Sequence, residues 1–187
     1  MKPYTKQKRR DEIPYHQYKE RNFEYYVLEK ENKVKLDQMY EGKTMEELAE
    51  LMQKHVKGSF SDFLDMTILK YKPGYCLSEF VIKPCYLNPL GSIHGGFLFT
   101  IADTTAGMAS IVLGDKSTVT TINGGMQFLN PALNNNLLYA EATVLKSGKR
   151  IVYTDVIIKG EDGTVYAKGS YTFARVVLDH VIIPGIE

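Results

Sequence analysis

The stretch Asn88-Pro89-Leu90-Gly91-Ser92-Ile93-His94-Gly95-Gly96-Phe97-Leu98-Phe99-Thr100-Ile101-Ala102-Asp103 decides how this chain is read. Turn-forming residues give way to a run of small and apolar ones, the pattern of a buried helix over about 93–112. His94-Gly95-Gly96 opens that helix, where the first backbone N–H groups lack partners and the dipole is positive. Glycine there lets a ligand oxygen approach the backbone closely, as an oxyanion hole requires. Two glycines in a row cost about 1 kcal/mol each relative to alanine, a cost that needs a reason. Asp103 sits among Ile101, Ala102, Thr104, Thr105 and Ala106. A carboxylate on such a helix is expensive unless it is paired or at work, and is a candidate general base. Local features leave it equally open that Asp103 bonds Thr104 or Thr105, or faces solvent.

Helix geometry separates these groups. Gly95 and Asp103 lie about 12 Å apart along the axis at roughly 1.5 Å per residue. His94 and Asp103 fall on nearly opposite faces. One chain can hardly bring both to one substrate atom. A second subunit with its helix antiparallel can, and a two-fold dimer then holds two equivalent sites.

Outward from the helix the pattern turns to strands. After it come a strand at about 117–129, a break at Asn130-Pro131, and a strand at about 137–146. Ser147-Gly148 reads as a tight hairpin into 150–159, and Asp162-Gly163 as a second into 164–176. Before the helix, strands at about 62–72 and 75–83 flank the turn signal Pro73-Gly74. One long helix among five or six antiparallel strands is an α+β layer fold, and a helix apolar nearly all round must be covered by the sheet. Gly124-Gly125 inside a strand marks a bulge or a close approach, with the bulge the first reading.

The whole chain has 187 residues, 44% of them hydrophobic, enough for a domain with a real core. Its two parts differ. Residues 1–60 hold 13 basic and 11 acidic residues but only two glycines, and read as a helical extension. Residues 61–177 are punctuated like a sheet, and 178–187 form a tail. Arg21 to Leu36 fits one helix. Thr44 and Glu47 fit a capping box before a second, in which Leu48, Leu51, Met52 and His55 share a face and Gly58 takes the C-terminal cap. A packed His55 is the expectation.

Lys and Arg number 23 against 22 Asp and Glu, a formal net charge of +1, which argues against nucleic acid as a partner. No unbroken apolar run of about 18 residues is present to cross a membrane, and the basic MKPYTKQKRR start has no apolar segment after it. Cys76 and Cys85 make no disulfide framework, so the chain reads as cytoplasmic. The four histidines, His16, His55, His94 and His180, are too scattered to suggest a metal set, and neither a P-loop nor a Gly-x-Ser-x-Gly elbow occurs. No cofactor is expected.

The pattern Asn-x-x-Gly-x-x-His-Gly-Gly, with Asp nine residues after the His, resembles that of the hotdog-fold acyl-CoA thioesterases of the phenylacetic-acid-degradation type. The resemblance covers roughly residues 60–177. It implies a long central helix wrapped by an antiparallel sheet. It also implies hydrolysis of a medium-sized or aromatic acyl-CoA to free acid and coenzyme A, in a homo-oligomer, a dimer or a dimer of dimers. By this likeness Gly95 supplies the N–H that polarises the thioester carbonyl, with Gly96 beside the bound substrate. Asp103 of the partner subunit acts as general base or as nucleophile. Asn88 positions the water or the thioester, His94 orients the site, and Thr121 assists the attacking water. Lys149 and Arg150 correspond to basic positions that meet coenzyme A phosphates in some relatives, although a solvated hairpin is the plainer expectation. The Lys6–Arg10 run is read as an exposed tail rather than a phosphate site.

Two other readings share the fold. A non-catalytic acyl-CoA-sensing module needs neither Asp103 nor Thr121. A dehydratase acting on hydroxyacyl thioesters places its His and carboxylate differently.

Overall fold

The computed structural model describes residues 42–111, 117–133 and 135–177. The helix read at Arg21–Leu36, the Lys6–Arg10 run and the tail 178–187 lie outside the described residues.

Two short helices come first among the described residues. Helix α1, Met45–Val56, starts on the capping box: the Glu47 N–H donates to Thr44 Oγ1 (3.2 Å) and the Thr44 N–H donates to Glu47 Oε2 (2.7 Å). These bonds from Thr44 hold the Glu47 carboxyl below its ordinary range. Leu48, Ala49, Met52 and Val56 are its buried stripe, and Gly58 ends it at φ +77°, a conformation that glycine adopts without strain. Helix α2, Phe60–Phe63, is one turn capped by Ser59, so the strand expected from residue 62 begins only at Met66. The Ser59 cap and Asp62, which accepts the Gly58 N–H (2.8 Å), commit that turn to helix.

The strands are β1 (Met66–Lys72), β2 (Tyr75–Val81), β3 (Ser117–Phe128), β4 (Leu137–Ser147), β5 (Ile151–Gly160) and β6 (Val165–Val177). They form one antiparallel sheet in the order β1-β2-β4-β5-β6-β3. Pro73-Gly74 turns β1 into β2 with Gly74 at φ +86°, and Gly163 at φ +81° turns β5 into β6. The β4–β5 turn is centred two residues beyond the expected Ser147-Gly148. The Gly148 N–H donates to the Ile151 carbonyl (2.9 Å), which leaves Lys149 and Arg150 as the two loop residues.

Helix α3, Gly95–Ser110, lies in the curve of the sheet. Phe97, Leu98, Ile101, Ala102, Thr105, Ala106, Ala109 and Ser110 are buried against Phe80, Ala140, Val152, Val156, Tyr171 and Phe173. Alanines at the contact let helix and sheet approach closely. The sheet covers the helix as expected, and it does so from one side. Gly96 and Phe99 are exposed, and Thr100, Asp103, Thr104, Gly107 and Met108 are only half-buried. These positions recur at three and four residues and so form a second stripe that is left partly open among the described residues.

The two sheet edges differ as well. On the β1 edge, Gln53 of α1 donates through Nε2 to the Met66 carbonyl (2.9 Å) and accepts the Ile68 N–H on Oε1 (2.7 Å), as a neighbouring strand would. The β3 edge has no such cover among the described residues, and it exposes Ile122, Phe128 and Leu129. An open twelve-residue edge with apolar side chains is a template for another strand. Gln53→Ala is expected to lower stability by about 1–2 kcal/mol, because two β1 backbone groups lose their partner together. A fall in the urea midpoint, with the slope unchanged, is the check.

Candidate active site

The loop before α3 is built by Asn88. Its Oδ1 accepts the N–H groups of Leu90 (2.9 Å) and Ser92 (3.2 Å), its Nδ2 donates to Ser92 Oγ (2.7 Å), and its backbone N–H donates to the Ser92 carbonyl (2.8 Å). Gly91 completes the turn at φ +80°. Both ends of the Asn88 side chain thus hold the loop together. A Leu87–Ile93 bridge and a bond from the His94 N–H to the Tyr86 carbonyl (2.8 Å) then fix where α3 starts. The Tyr86 ring stacks on Phe97 at 4.1 Å.

His94 is the N-cap. Its Nδ1 accepts the Gly96 N–H (2.9 Å), so a neutral ring carries its proton on the other nitrogen. This accounts for one of the paired glycines: a Cβ on Gly96 would lie 3.0 Å from His94 Nδ1. The Gly96 N–H is therefore in use, whereas the Gly95 N–H has no acceptor among the described residues. A Cβ on Gly95 would lie 3.3 Å from the ring of Phe128, so this glycine is where strand β3 closes on the helix start.

Asp103 bonds neither Thr104 nor Thr105. Thr105 Oγ1 donates back to the Ile101 carbonyl (2.8 Å), and Asp103 Oδ1 accepts the hydroxyl of Thr121 on β3 (2.9 Å). A bulge makes that pairing possible. Phe128, Met126 and Gly124 lie opposite the inward Ala167, Gly169 and Tyr171 of β6, and simple alternation would turn Ile122 inward next. The register instead slips between Thr121 and Asn123, so Thr121 stands opposite Phe173 on the helix side and Ile122 turns outward, more than half exposed. Bulges re-aim side chains in this way.

The bulge is not at Gly124-Gly125, where it was expected. Pairing runs unbroken from Asn123 to Phe128, and Gly124 instead makes room for an aromatic ring. A Cβ there would sit 2.5 Å from Tyr171 Cε1 and 3.0 Å from Phe99 Cζ. Tyr171 is buried, its hydroxyl donates to the Phe99 carbonyl (3.2 Å), and its ring meets Phe99 edge-on at 5.5 Å. Burial, and after it the charge of Asp103, push the Tyr171 phenol above its ordinary range, so it stays a donor at any working pH. Three contacts therefore tie α3 to β3 at four-residue intervals: Gly95 with Phe128, Phe99 with Gly124, and Asp103 with Thr121. Sequence reading missed Phe99, Phe128 and Tyr171. They look like ordinary core aromatics until the strand register sets Gly124 against Tyr171.

Lys149 and Arg150 are exposed at the β4–β5 turn. The Arg150 carbonyl accepts the Arg175 N–H (2.8 Å), and Arg175 pairs with Val119, so this basic end lies beyond Thr121 on the side away from Gly124. Cys76 is buried, and burial pushes its thiol up to about 12, which makes it inert. Among the described residues no three His, Cys, Asp or Glu side chains are grouped to hold a metal ion. Nor is any helix among them long and apolar enough to cross a membrane.

A long helix held in the curve of a six-stranded antiparallel sheet is the hotdog fold. The family model described as the thioesterase superfamily matches residues 90–167 of this hotdog-fold chain. It is similar to acyl-coenzyme A thioesterase 13 of Homo sapiens, 25% identical over 108 residues that cover 57% of this chain and 77% of that protein. A Haemophilus influenzae thioesterase structure superposes with a TM-score of 0.63 at 22% identity, covering 74% of this chain and 94% of its own. The PaaI protein of the E. coli phenylacetic acid degradation operon gives a TM-score of 0.63 at 21% identity, over 71% of this chain and 96% of its own.

Proposed function

We propose that the protein hydrolyses the thioester of a medium-sized or aromatic acyl-CoA, in sites shared between two copies of the chain. The observation that carries this reading is the Thr121–Asp103 hydrogen bond across the open face of α3. It occupies one carboxylate oxygen and leaves the other for a proton. The Thr121 oxygen, having given its own proton to that bond, keeps a lone pair to accept from a water. An ordered water held by these two groups is a nucleophile beside its base.

The oxyanion donor comes from the second copy. The unpartnered β3 edge and the open stripe on α3 support a two-fold pairing in which β3 meets β3 and the helices run antiparallel. The partner's Gly95 then brings its spare N–H, at the positive end of its helix, to the thioester carbonyl oxygen. Water adds to the carbonyl carbon and its proton passes to Asp103. The tetrahedral oxyanion collapses, and the carbon–sulfur bond breaks. The coenzyme A sulfur leaves with the proton that Asp103 returns. His94 presents its N–H beside the helix start, while Asn88 acts by holding the loop that aims it. Lys149 and Arg150 offer charge to the coenzyme A phosphates.

The test is thiol release from a panel of short, long and aromatic acyl-CoAs, with product analysis. Free thiol and free acid support the reading. Unsaturated thioester without thiol points to dehydration, and ligand-induced thermal stabilisation without turnover points to a sensor.

A further inference from the structure

The open face of α3 has a centre. Gly95 and Asp103 are each four residues from Phe99, one helical turn to either side. In an antiparallel pair that sets the partner's Gly95 against Asp103, and Gly95 against the partner's Asp103, Phe99 must lie at the two-fold axis between the two sites. Phe99 is suited to that place: its ring is 37% exposed in one chain, although it stacks edge-on against Tyr171 and covers Gly124. Its backbone is pinned there too, by the bond from the Tyr171 hydroxyl to its carbonyl.

The groove between α3 and β3 is also polarised. Beyond Thr121 on one side come Val119, Arg175 and the Lys149-Arg150 turn, a basic end fit for phosphates. On the other side come Gly124, Met126 and Phe128, which offer no charge and suit an acyl group. An acyl chain whose carbonyl sits at Asp103 therefore runs toward Phe99. Gly124 has no side chain to stop it; the buried Tyr171 ring lies behind that position and the half-exposed Phe99 ring closes it from the helix side.

We infer that Phe99 is the specificity-determining residue: the two Phe99 rings form a common wall that closes both acyl pockets and restricts the enzyme to compact acyl groups. This inference rests on the shared-site reading above. Shortening the Phe99 ring takes away the part of the wall that it supplies, over the Tyr171 ring and the side-chain-free Gly124, so the pocket lengthens without a change at Asp103, Thr121 or Gly95.

The experiment compares kcat/KM for hexanoyl-, phenylacetyl- and dodecanoyl-CoA in the wild type and in Phe99→Ala, Phe99→Leu and Phe99→Trp, with each variant's mass in solution measured. The ratio of dodecanoyl to hexanoyl activity is expected to rise about tenfold or more in Phe99→Ala and less in Phe99→Leu, and to fall in Phe99→Trp. Phe99→Leu keeps enough bulk to test the trend if Phe99→Ala does not fold. An unchanged ratio in folded, active variants overturns the inference and leaves the thioesterase reading standing. Failure of the wild type to release thiol from any of the three substrates overturns the thioesterase reading, and this inference with it.

Discussion

Asp103→Asn is expected to lower kcat for thioester hydrolysis by about a thousandfold while the protein stays folded and keeps its mass in solution. General-base assistance contributes about 10²–10⁴ in rate, and a thousandfold loss corresponds to roughly 4 kcal/mol of transition-state stabilisation. The carboxamide has the shape of the carboxylate and can still accept the Thr121 hydroxyl, now at 2.9 Å, so helix and strand remain tied. It cannot take a proton from water. In the proposed mechanism this group acts on the water and not on the coenzyme A portion of the substrate, so KM should change little beside kcat. Circular dichroism and light scattering check the fold, and the thiol-release assay checks the rate. Wild-type rates in a folded variant would remove Asp103 from the mechanism.

The same residue allows base and nucleophile to be separated. Single turnover in ¹⁸O water leaves the Asp103 carboxylate unlabelled if it acts as base. If it attacks the acyl carbon itself, hydrolysis of the resulting anhydride at the carboxylate carbon places label in the side chain. Mass spectrometry of the peptide containing Asp103 reads the difference.

Much of the fold was legible because its signals are local. The Thr44–Glu47 capping box, Gly58, Pro73-Gly74 and Asp162-Gly163 each specify their own backbone within four residues, and each lies where the sequence indicates. The ends of β3, β4, β5 and β6 follow from such punctuation. The α2 turn escaped notice because its cap, Ser59, is one weak residue in front of an alternating pattern that reads equally well as strand.

The site was legible in part, for a different reason. His94 and Gly95 open the helix that carries Asp103, and its fixed geometry keeps its start and Asp103 about 12 Å apart within one chain. Thr121 could not be placed from alternation, since a regular strand turns Ile122 inward; only the register against β6 reveals the slip. Gly124-Gly125 announces that something approaches closely, but not what, because Tyr171 lies 47 residues further along the chain. Asn88 belongs to the motif, yet its hydrogen bonds are spent on the loop itself. A motif residue can serve a site through the backbone it shapes.

Gly95→Pro is expected to reduce kcat by about 10²–10³ through loss of a single N–H, the usual cost of one oxyanion-hole donor. Gly95 is the first residue of α3, the helical position where proline is best tolerated because the N–H there has no helical acceptor. His94 before it has φ −65° and ψ 132°, the extended conformation that a following proline favours. The substitution therefore removes the donor with little else, apart from pressing a Cβ on the Phe128 ring. Gly95→Ala presses the same ring and keeps the N–H, so it measures that contact alone and should lose little activity. Mixing extends the test to the shared site. Chains carrying Gly95→Pro and chains carrying Asp103→Asn are each expected to be nearly inactive alone. A mixed dimer puts both lesions in one site and leaves the other with an intact Gly95 and an intact Asp103. Subunit exchange should then recover a substantial fraction of wild-type activity from two inactive proteins. A site built within one chain would recover nothing, because every site would carry one lesion or the other.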